Sequence, residues 1–502
     1  MTFAIAFLIV FALVIIAIGA YAARFGTRTA EDYFIAGRTL GVVATFFGLV
    51  STQMSGFIFM GMGAQAYLMG VGAFNQTVAG TVLIVIYLYL WRRLWQVGKQ
   101  NGYITQADLL VDRYESPTFM RLVPAVLGIV AVTAGHFGIQ FIATGLIFNV
   151  ISGGALPYWF GVVFTAVVVL LVVLLGGFRA TAWTDIFMGS WIIISLLTIF
   201  FLTTGHLGTG IAGAFQEVGA KFPKMVSPPG EVPFWTPVML VAWLINMIGF
   251  TQYPQMHVRS YAAKSDKVFP VSALFWIPAS FIICSVPTTV GVFARLIWAS
   301  TKELGVAPDG VIPMLVTQIV PVPWLVPILL SGALAAIIST ISGSVIAISG
   351  IVTHDLIRSK ISPNISQERA VWWGRIIVFI ATLVAVIIAL LRLNLISVLF
   401  VSANGIVTLF LIPIIGGLVW PRLNKQGAIW GLLIAEIFLL WLTYGPKSLG
   451  GGHLNQPVWL GLPAYIWALL LQLVVTVVVT LATPAPSAPV QKRFFAASQA
   501  ET

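Results

Sequence analysis

Charge is scarce in this chain of 502 residues: Asp, Glu, Lys and Arg together make up 8% of it, against about a quarter in a soluble domain. Cysteine is almost absent. The single one, Cys284, stands in an apolar run and excludes an internal disulfide. No GxxxxGK[ST] loop occurs and no stretch between apolar runs is long enough for a nucleotide-binding domain, which argues against a primary pump. No HExxH occurs and no GxSxG sits at a helix break, so nothing points to an intramembrane enzyme. The five histidines, His136, His206, His257, His354 and His453, are scattered, and carboxylates are nearly missing from the apolar runs. Neither a zinc nor a calcium pattern emerges.

What is present is hydrophobicity: 59% apolar residues and a mean hydropathy of +1.01. Apolar runs of about 20 residues recur along the whole length, without the short alternating segments of a barrel, so an all-α polytopic membrane protein is expected. About thirteen spans are predicted: 2–22, 40–70, 74–96, 122–151, 157–176, 182–205, 236–257, 268–298, 312–352, 370–391, 394–420, 427–445 and 460–482. The first mimics a signal peptide, with Ala20-Tyr21-Ala22 as a cleavage-site lookalike. It lacks a basic leader, and Arg24 and Arg28 follow rather than precede it, so it reads as a retained helix.

The 26 basic residues are not evenly placed. All but Lys221, Lys224, Arg295, Lys302, Arg392 and Lys447 fall in the connections after odd-numbered spans and in the tail. The positive-inside rule then puts the N-terminus outside and the C-terminus in the cytoplasm. The net charge of +11 is thereby a topology signal, and no nucleic-acid partner is needed to explain it.

Spans 2–6 and 7–11 form two sets of five in opposite orientation, the outline of an inverted repeat. The chain divides as 1–38 (leading helix and loop), 39–207 (first repeat), 208–235 (a Gly- and Pro-rich external loop), 236–421 (second repeat), 422–483 (two further helices) and 484–502, an Ala/Pro/Ser-rich tail expected to be disordered. The first member of each repeat is interrupted. Span 2 carries Gln53-Met54-Ser55-Gly56 inside a stretch with no charge from Gly41 through Leu90, and span 7 carries Gly249-Phe250-Thr251-Gln252-Tyr253-Pro254. Close helix packing through small residues is the plainer explanation for one such helix. A matching pair points to a binding site at the membrane midplane.

Span 9 crowds Ser331, Ser339, Thr340, Ser342 and Ser344 into an otherwise aliphatic run. Ala336, Ser339 and Thr340, at i, i+3 and i+4, share a helix face. Hydroxyls and carbonyls are hard, neutral oxygen donors, suited to Na⁺, and unwound backbone in span 2 is a source of further carbonyls.

At these residues a resemblance becomes specific. "STQMSGF" in span 2, "GGFRATAWTD" after span 5, "YPQMHVRSYAAKS" after span 7 and "AAIISTISGS" in span 9 resemble the sodium:solute symporter family, whose members include bacterial proline, pantothenate and monocarboxylate permeases. The resemblance runs from span 1 through span 13. It implies a LeuT-like five-plus-five inverted repeat behind an extra leading helix, and sodium-coupled import of a small organic solute by a monomeric unit in the bacterial cytoplasmic membrane. A solute sensor on the same fold and a proton-coupled permease are the alternatives. Sensor relatives carry a long C-terminal signalling domain, whereas only 483–502 follow the last span here. The family's conserved sodium site maps onto the carbonyls of Ser51, Met54 and Ala336 and the hydroxyls of Ser339 and Thr340. A second sodium site of some relatives maps onto Asp185, Ser339 and Ser342. Its fourth position is Gly343, without a side-chain oxygen.

Asp185 stands out in its own right as the only acidic residue in 116–216. An intramembrane carboxylate suggests function; an interfacial acid pairing with Arg179 and capping a helix start is the alternative. Glu436 in span 12 lies outside the repeats and reads as structural. The solute site is expected among Gln53, Ser55, Gln76, Gln140, Asn246, Phe250 and Gln252, with free N–H groups at half-helix starts suited to a carboxylate. The sialic-acid branch of the family uses an Arg in its fourth helix. That neighbourhood reads "TAGHFGIQF" here, which disfavours sialate. His136 in it is more plausibly a packing hydrogen-bonder than a ligand. A carboxylate, an amino acid or a pantothenate-like acid fits.

Overall fold

The computed structural model describes residues 2–26, 29–133, 137–227, 230, 235–391, 404–453 and 458–499. Among them there is no strand, only an isolated parallel bridge between Leu40 and Ala263. Among the described residues eight helices are long and apolar enough to cross a membrane, and five shorter apolar helices accompany them.

The leading helix, Thr2–Ala23, packs against a helical run of 50 residues, Tyr158–Leu207. A straight helix of that length would be about 75 Å long, far beyond a hydrocarbon core of about 30 Å. It is two spans. Gly177 (φ 54°, ψ −143°) turns the chain, in a conformation that suits glycine alone, with the Tyr33 carbonyl pressed against it. The leading helix records the reversal. Its Gly19 and Ala23 meet Val172 and Gly176, in parallel. Its Tyr21 and Phe11 meet Trp183 and Trp191, in antiparallel. The expected spans 157–176 and 182–205 are therefore joined without a loop, and Arg179 lies within helix.

Both predicted interruptions exist. The second span breaks into Val42–Gln53 and a segment that starts as a π-helix at Phe57–Gly61 and continues as Met62–Met69. The seventh breaks into Pro237–Phe250 and Pro254–Ala262. Proline at the first helical position starts each of these two pieces, where its missing N–H costs nothing.

Contacts among the connections after odd-numbered spans gather them on one side. Arg38 donates to the carbonyls of Tyr103 (2.8 Å) and Tyr261 (3.3 Å). Arg179 pairs with Asp32 (3.3 Å), Ala30 donates to Gln367 (3.0 Å), and Arg493 pairs with Asp112 (3.2 Å). On the opposite side Asn75 donates to the Leu240 carbonyl (3.2 Å) and Tyr67 to that of Trp298 (3.0 Å).

Several sequence expectations need correction. The predicted span 312–352 is two helices, Val311–Ile319 and Leu325–Gly350, parted at Pro321 and Pro323, with the second continuing as a π-helix over Ile351–Ile361. The connection 208–235, expected as a Gly- and Pro-rich loop, has helical structure. It contains the helix Gly210–Lys221, which buries Ala214 and Val218 against Met225 and Phe293. The tail is ordered as far as the helix Ala488–Gln499. Val490 and Phe494, one turn apart, are buried with Phe495, and the Arg93 and Arg113 guanidinium groups lie over the two Phe rings at 5.3–5.8 Å. Residues 394–403 of the eleventh predicted span, and His136, lie outside the described residues.

Candidate functional site

The break in the second span comes from side chains and small residues that compete with helix. Met54 departs from it (φ −75°, ψ 86°). The Ser55 N–H closes on the Gln53 carbonyl (3.0 Å) and the Gly56 N–H on Gln140 Oε1 (2.8 Å). In a continued helix the Ser55 N–H would donate to the carbonyl of Ser51 and the Gly56 N–H to that of Thr52. The carbonyl of Met54, freed in the same way, receives Thr340 Oγ1 at 3.2 Å. Thr340 also lies 2.9 Å from the carbonyl oxygen of Ala336, one turn earlier on its own helix. One hydroxyl hydrogen thus faces two carbonyl acceptors, at a point where Ser51, Met54, Ser339 and Thr340 are buried. A surplus of hard oxygens over protons in a water-poor site is what a hard monovalent cation satisfies.

Ser339, next to Thr340, turns elsewhere. Its hydroxyl donates to Asp185 Oδ1 at 2.8 Å. The other carboxylate oxygen, Oδ2, forms an ion pair with Arg259 Nη2 at 2.9 Å. Asp185 therefore does not pair with Arg179, which holds Asp32, and it caps no helix, since it stands two turns past Gly177 inside a helical run. Ser342 is buried nearby on the Ser339 face, its hydroxyl without a hydrogen-bond partner.

By its place after span 7, Arg259 is expected to be a loop charge. It is instead on Pro254–Ala262, all nine residues of which are buried. Its guanidinium fits because Gly48 has no side chain: a Cβ there would overlap Nη1. The Phe178 ring lies 5.5 Å from its Cζ. The sequence signal available was the proline that restarts a helix after the break, which carries position 259 inward rather than into a loop.

The solute candidates divide. Gln53 and Ser55 are at the break and buried, and Gln140 hydrogen-bonds to it. Gln76 turns to Gln65 on the same bundle side (2.5 Å). Asn246 is buried with its side-chain carbonyl unpartnered. Phe250 packs edge-on against Tyr253 (5.1 Å), whose hydroxyl donates to Asn404 (2.8 Å). Gln252 is in the second break: its main-chain carbonyl accepts from Gln106 Nε2 (3.2 Å), its side-chain amide donates to Thr251 (3.1 Å), and its side-chain oxygen is buried without a hydrogen-bond partner.

Two acids and a histidine read as scattered do come together. Asp108, His354 and Asp355 place ligand-type atoms within 4.8 Å of one another. Arg121 already bridges the carboxylates, at 2.9 and 2.7 Å, and His354 lies 3.0 Å from Asp108. Burial opposes the Asp108 charge, but His354 and Arg121 outweigh it and hold the carboxyl well below its usual range. The cluster is a charge-compensated tie between the helix Gln106–Tyr114 and the end of the ninth span. Glu436 is buried with neither carboxylate oxygen hydrogen-bonded.

An all-helical bundle with two broken helices, one of them joined to a hydroxyl-bearing helix through bare carbonyls, defines a secondary transporter of LeuT-like fold. The chain belongs to the sodium:solute symporter family, whose sequence model matches residues 33–435. It is 25% identical over 484 residues to the sodium/proline symporter of Escherichia coli (strain K12), covering 93% of this chain and 91% of that one. It is 26% identical over 491 residues to the sodium/proline symporter of Staphylococcus aureus (strain JH9), covering 96% and 93%. Among solved structures it is similar in fold to a Na⁺-coupled sialic acid symporter in a substrate-bound outward-open state, with a TM-score of 0.78, 18% identity, and 96% and 99% of the two chains covered. It is also similar to Mhp1, a nucleobase-cation-symport-1 family transporter in a closed conformation, with a TM-score of 0.55, 14% identity, and 92% and 97% covered. Family membership supports transport as the activity and implies sodium as the coupling ion.

Proposed function

We propose that the chain imports a small amino-acid-type solute together with Na⁺, by alternating access, as a monomeric unit in a bacterial cytoplasmic membrane with its N-terminus outside. The observation that carries the reading is the meeting of Met54, Ala336 and Thr340 oxygens across the broken second span. Sodium there would tie the first repeat to the second and hold the break in the shape that receives the solute. Coupling is then the difference in sodium affinity between the two conformations, and it is reciprocal between ion and solute.

The amino-acid reading is supported by the relatives named as proline symporters and by the Gly56 N–H at the start of a half-helix. Gln140 Oε1 accepts from it in the place a solute carboxylate oxygen would take. The connections after odd-numbered spans are shut over the site: Pro254–Ala262 is buried, Gln106 holds Gln252, and Leu40 pairs with Ala263. Release inward requires these to part. At 100 mV each entering Na⁺ gains about 2.3 kcal/mol, roughly a fifty-fold gradient of a neutral solute per ion.

The test is uptake of labelled proline, other amino acids, small monocarboxylates and pantothenate into proteoliposomes, with and without an inward Na⁺ gradient. Sodium-dependent uptake of an amino acid is expected. Uptake of a non-amino acid alone would reassign the solute, and uptake indifferent to sodium would overturn the coupling.

A further inference from the structure

We propose that Glu436 and Gln472 form a proton-binding site between the two helices that follow the second repeat. The proton makes Glu436 a carboxylic acid, and its hydroxyl donates to the side-chain oxygen of Gln472. Glu436 stands just past the middle of the helix Lys425–Tyr444, whose length of about 30 Å matches the depth of a hydrocarbon core. It is buried, and neither carboxylate oxygen has a hydrogen-bond partner. Among the described residues no cationic side chain compensates it. A bare charge at that depth is costly, so an unpaired carboxyl there takes up a cation or a proton.

Packing brings Gln472 to the same depth. Gly427 lies against Thr480 and Gly431 against Thr476, so the helices Lys425–Tyr444 and Ala464–Ala482 run antiparallel. Gly405 of span 11 lies against Leu439, which shares a helix face with Glu436 at i, i+3. One turn further along span 11, the Leu409 carbonyl accepts from Gln472 Nε2 at 2.7 Å. Spans 11 and 12 run in opposite directions, so Leu409 falls at the level of Glu436, in one seam of three helices. The amide nitrogen of Gln472 is spent on Leu409. Its oxygen remains, buried and without a donor. Two groups that only accept therefore share an apolar seam, and one proton supplies the missing donor. A metal cation would need more oxygens than these, since the helices around keep their carbonyls in their own hydrogen bonds. With the proton in place, Gln472 ties span 13 to span 11 through its nitrogen and to span 12 through its oxygen. The last two spans are thereby fastened to the second repeat. Glu436 belongs to neither repeat, so the proton is held and not carried.

Infrared spectroscopy of the full-length chain in lipid nanodiscs reads the proton directly. The difference between the native chain and Glu436→Gln at neutral pH should contain the C=O band of a neutral carboxylic acid, shifted in D₂O. A carboxylate band in its place overturns the proposal, as does a lower ²²Na⁺ stoichiometry in Glu436→Gln, which would make the site a metal site. Thermal midpoints test the tie. Glu436→Gln keeps an N–H donor for Gln472 and should melt close to the native chain, whereas Glu436→Met should melt several degrees lower. Gln472→Met should cost much less in the Glu436→Met background than in the native one. Equal midpoints for Glu436→Gln and Glu436→Met, or additive losses in the double variant, overturn the proposal. Should Glu436→Met fail to fold, Gln472→Met decides by infrared: the acid band should move to higher frequency once its hydroxyl has lost the amide acceptor, and an unmoved band contradicts the pairing.

Discussion

Thr340 Oγ1 stands 3.2 Å from the carbonyl oxygen of Met54, across 286 residues of sequence. One belongs to a continuous helix of the second repeat and the other to the broken helix of the first. Their meeting is possible because Met54 has lost its helical N–H donor and Thr340 has an acceptor too many. On the proposed reading a small cation at this contact would be a structural member of the bundle, and conformational change and ion binding would be one equilibrium.

Gln140→Glu tests the solute end of the break. A carboxylate at position 140 would sit on the Gly56 N–H at the positive end of a half-helix and compete with the solute carboxylate. The KM for solute is expected to rise at least about tenfold, the effect of roughly 1.4 kcal/mol, with equilibrium ²²Na⁺ affinity little changed. An unaltered KM would place the solute carboxylate elsewhere.

Gly48→Ala tests the space reserved for Arg259. The added methyl overlaps Nη1, and overpacking of this kind costs about 1–3 kcal/mol. A thermal midpoint lower by several degrees and reduced uptake are expected. Gly41→Ala, where a Cβ meets nothing within 4 Å, is the control and should leave both unchanged.

Much of this was legible in the sequence. Ser55 and Gly56 in a charge-free run, and Thr340 one turn from Ala336, announce a break and an oxygen face before any fold is known. Arg259 was not legible. One basic residue near a span end satisfies the positive-inside pattern, and only the restart of the helix at Pro254 carries it inward. Sequence proximity offers Arg179 as one of two readings of Asp185, yet the turn at Gly177 leaves Arg179 with Asp32. The tail was misread because alanine, proline and serine hid the Val490–Phe494 stripe. Asp108 and His354 are far apart in sequence, and their meeting depends on how the end of the ninth span packs.

Asp108→Asn tests the tie on the odd-connection side. The native carboxyl is held below its usual range by His354 and Arg121 against the cost of burial. A depressed group contributes stability above its unfolded pKa, near 3.8, and loses that contribution as pH falls. The native chain should therefore lose thermal stability progressively below about pH 5. The variant should be weaker at pH 7 by about 1–3 kcal/mol and show a shallower acid limb. Equal acid limbs would remove Asp108 from the account.

The most direct measurement is the sodium concentration that half-saturates uptake, compared between the native chain and Thr340→Ala. Loss of one oxygen ligand at about 1–3 kcal/mol predicts a rise of roughly five- to 150-fold, with a smaller rise for Ser339→Ala, whose hydroxyl points at Asp185. A half-saturating concentration unchanged in Thr340→Ala would contradict the claim that sodium bridges the broken span to its partner.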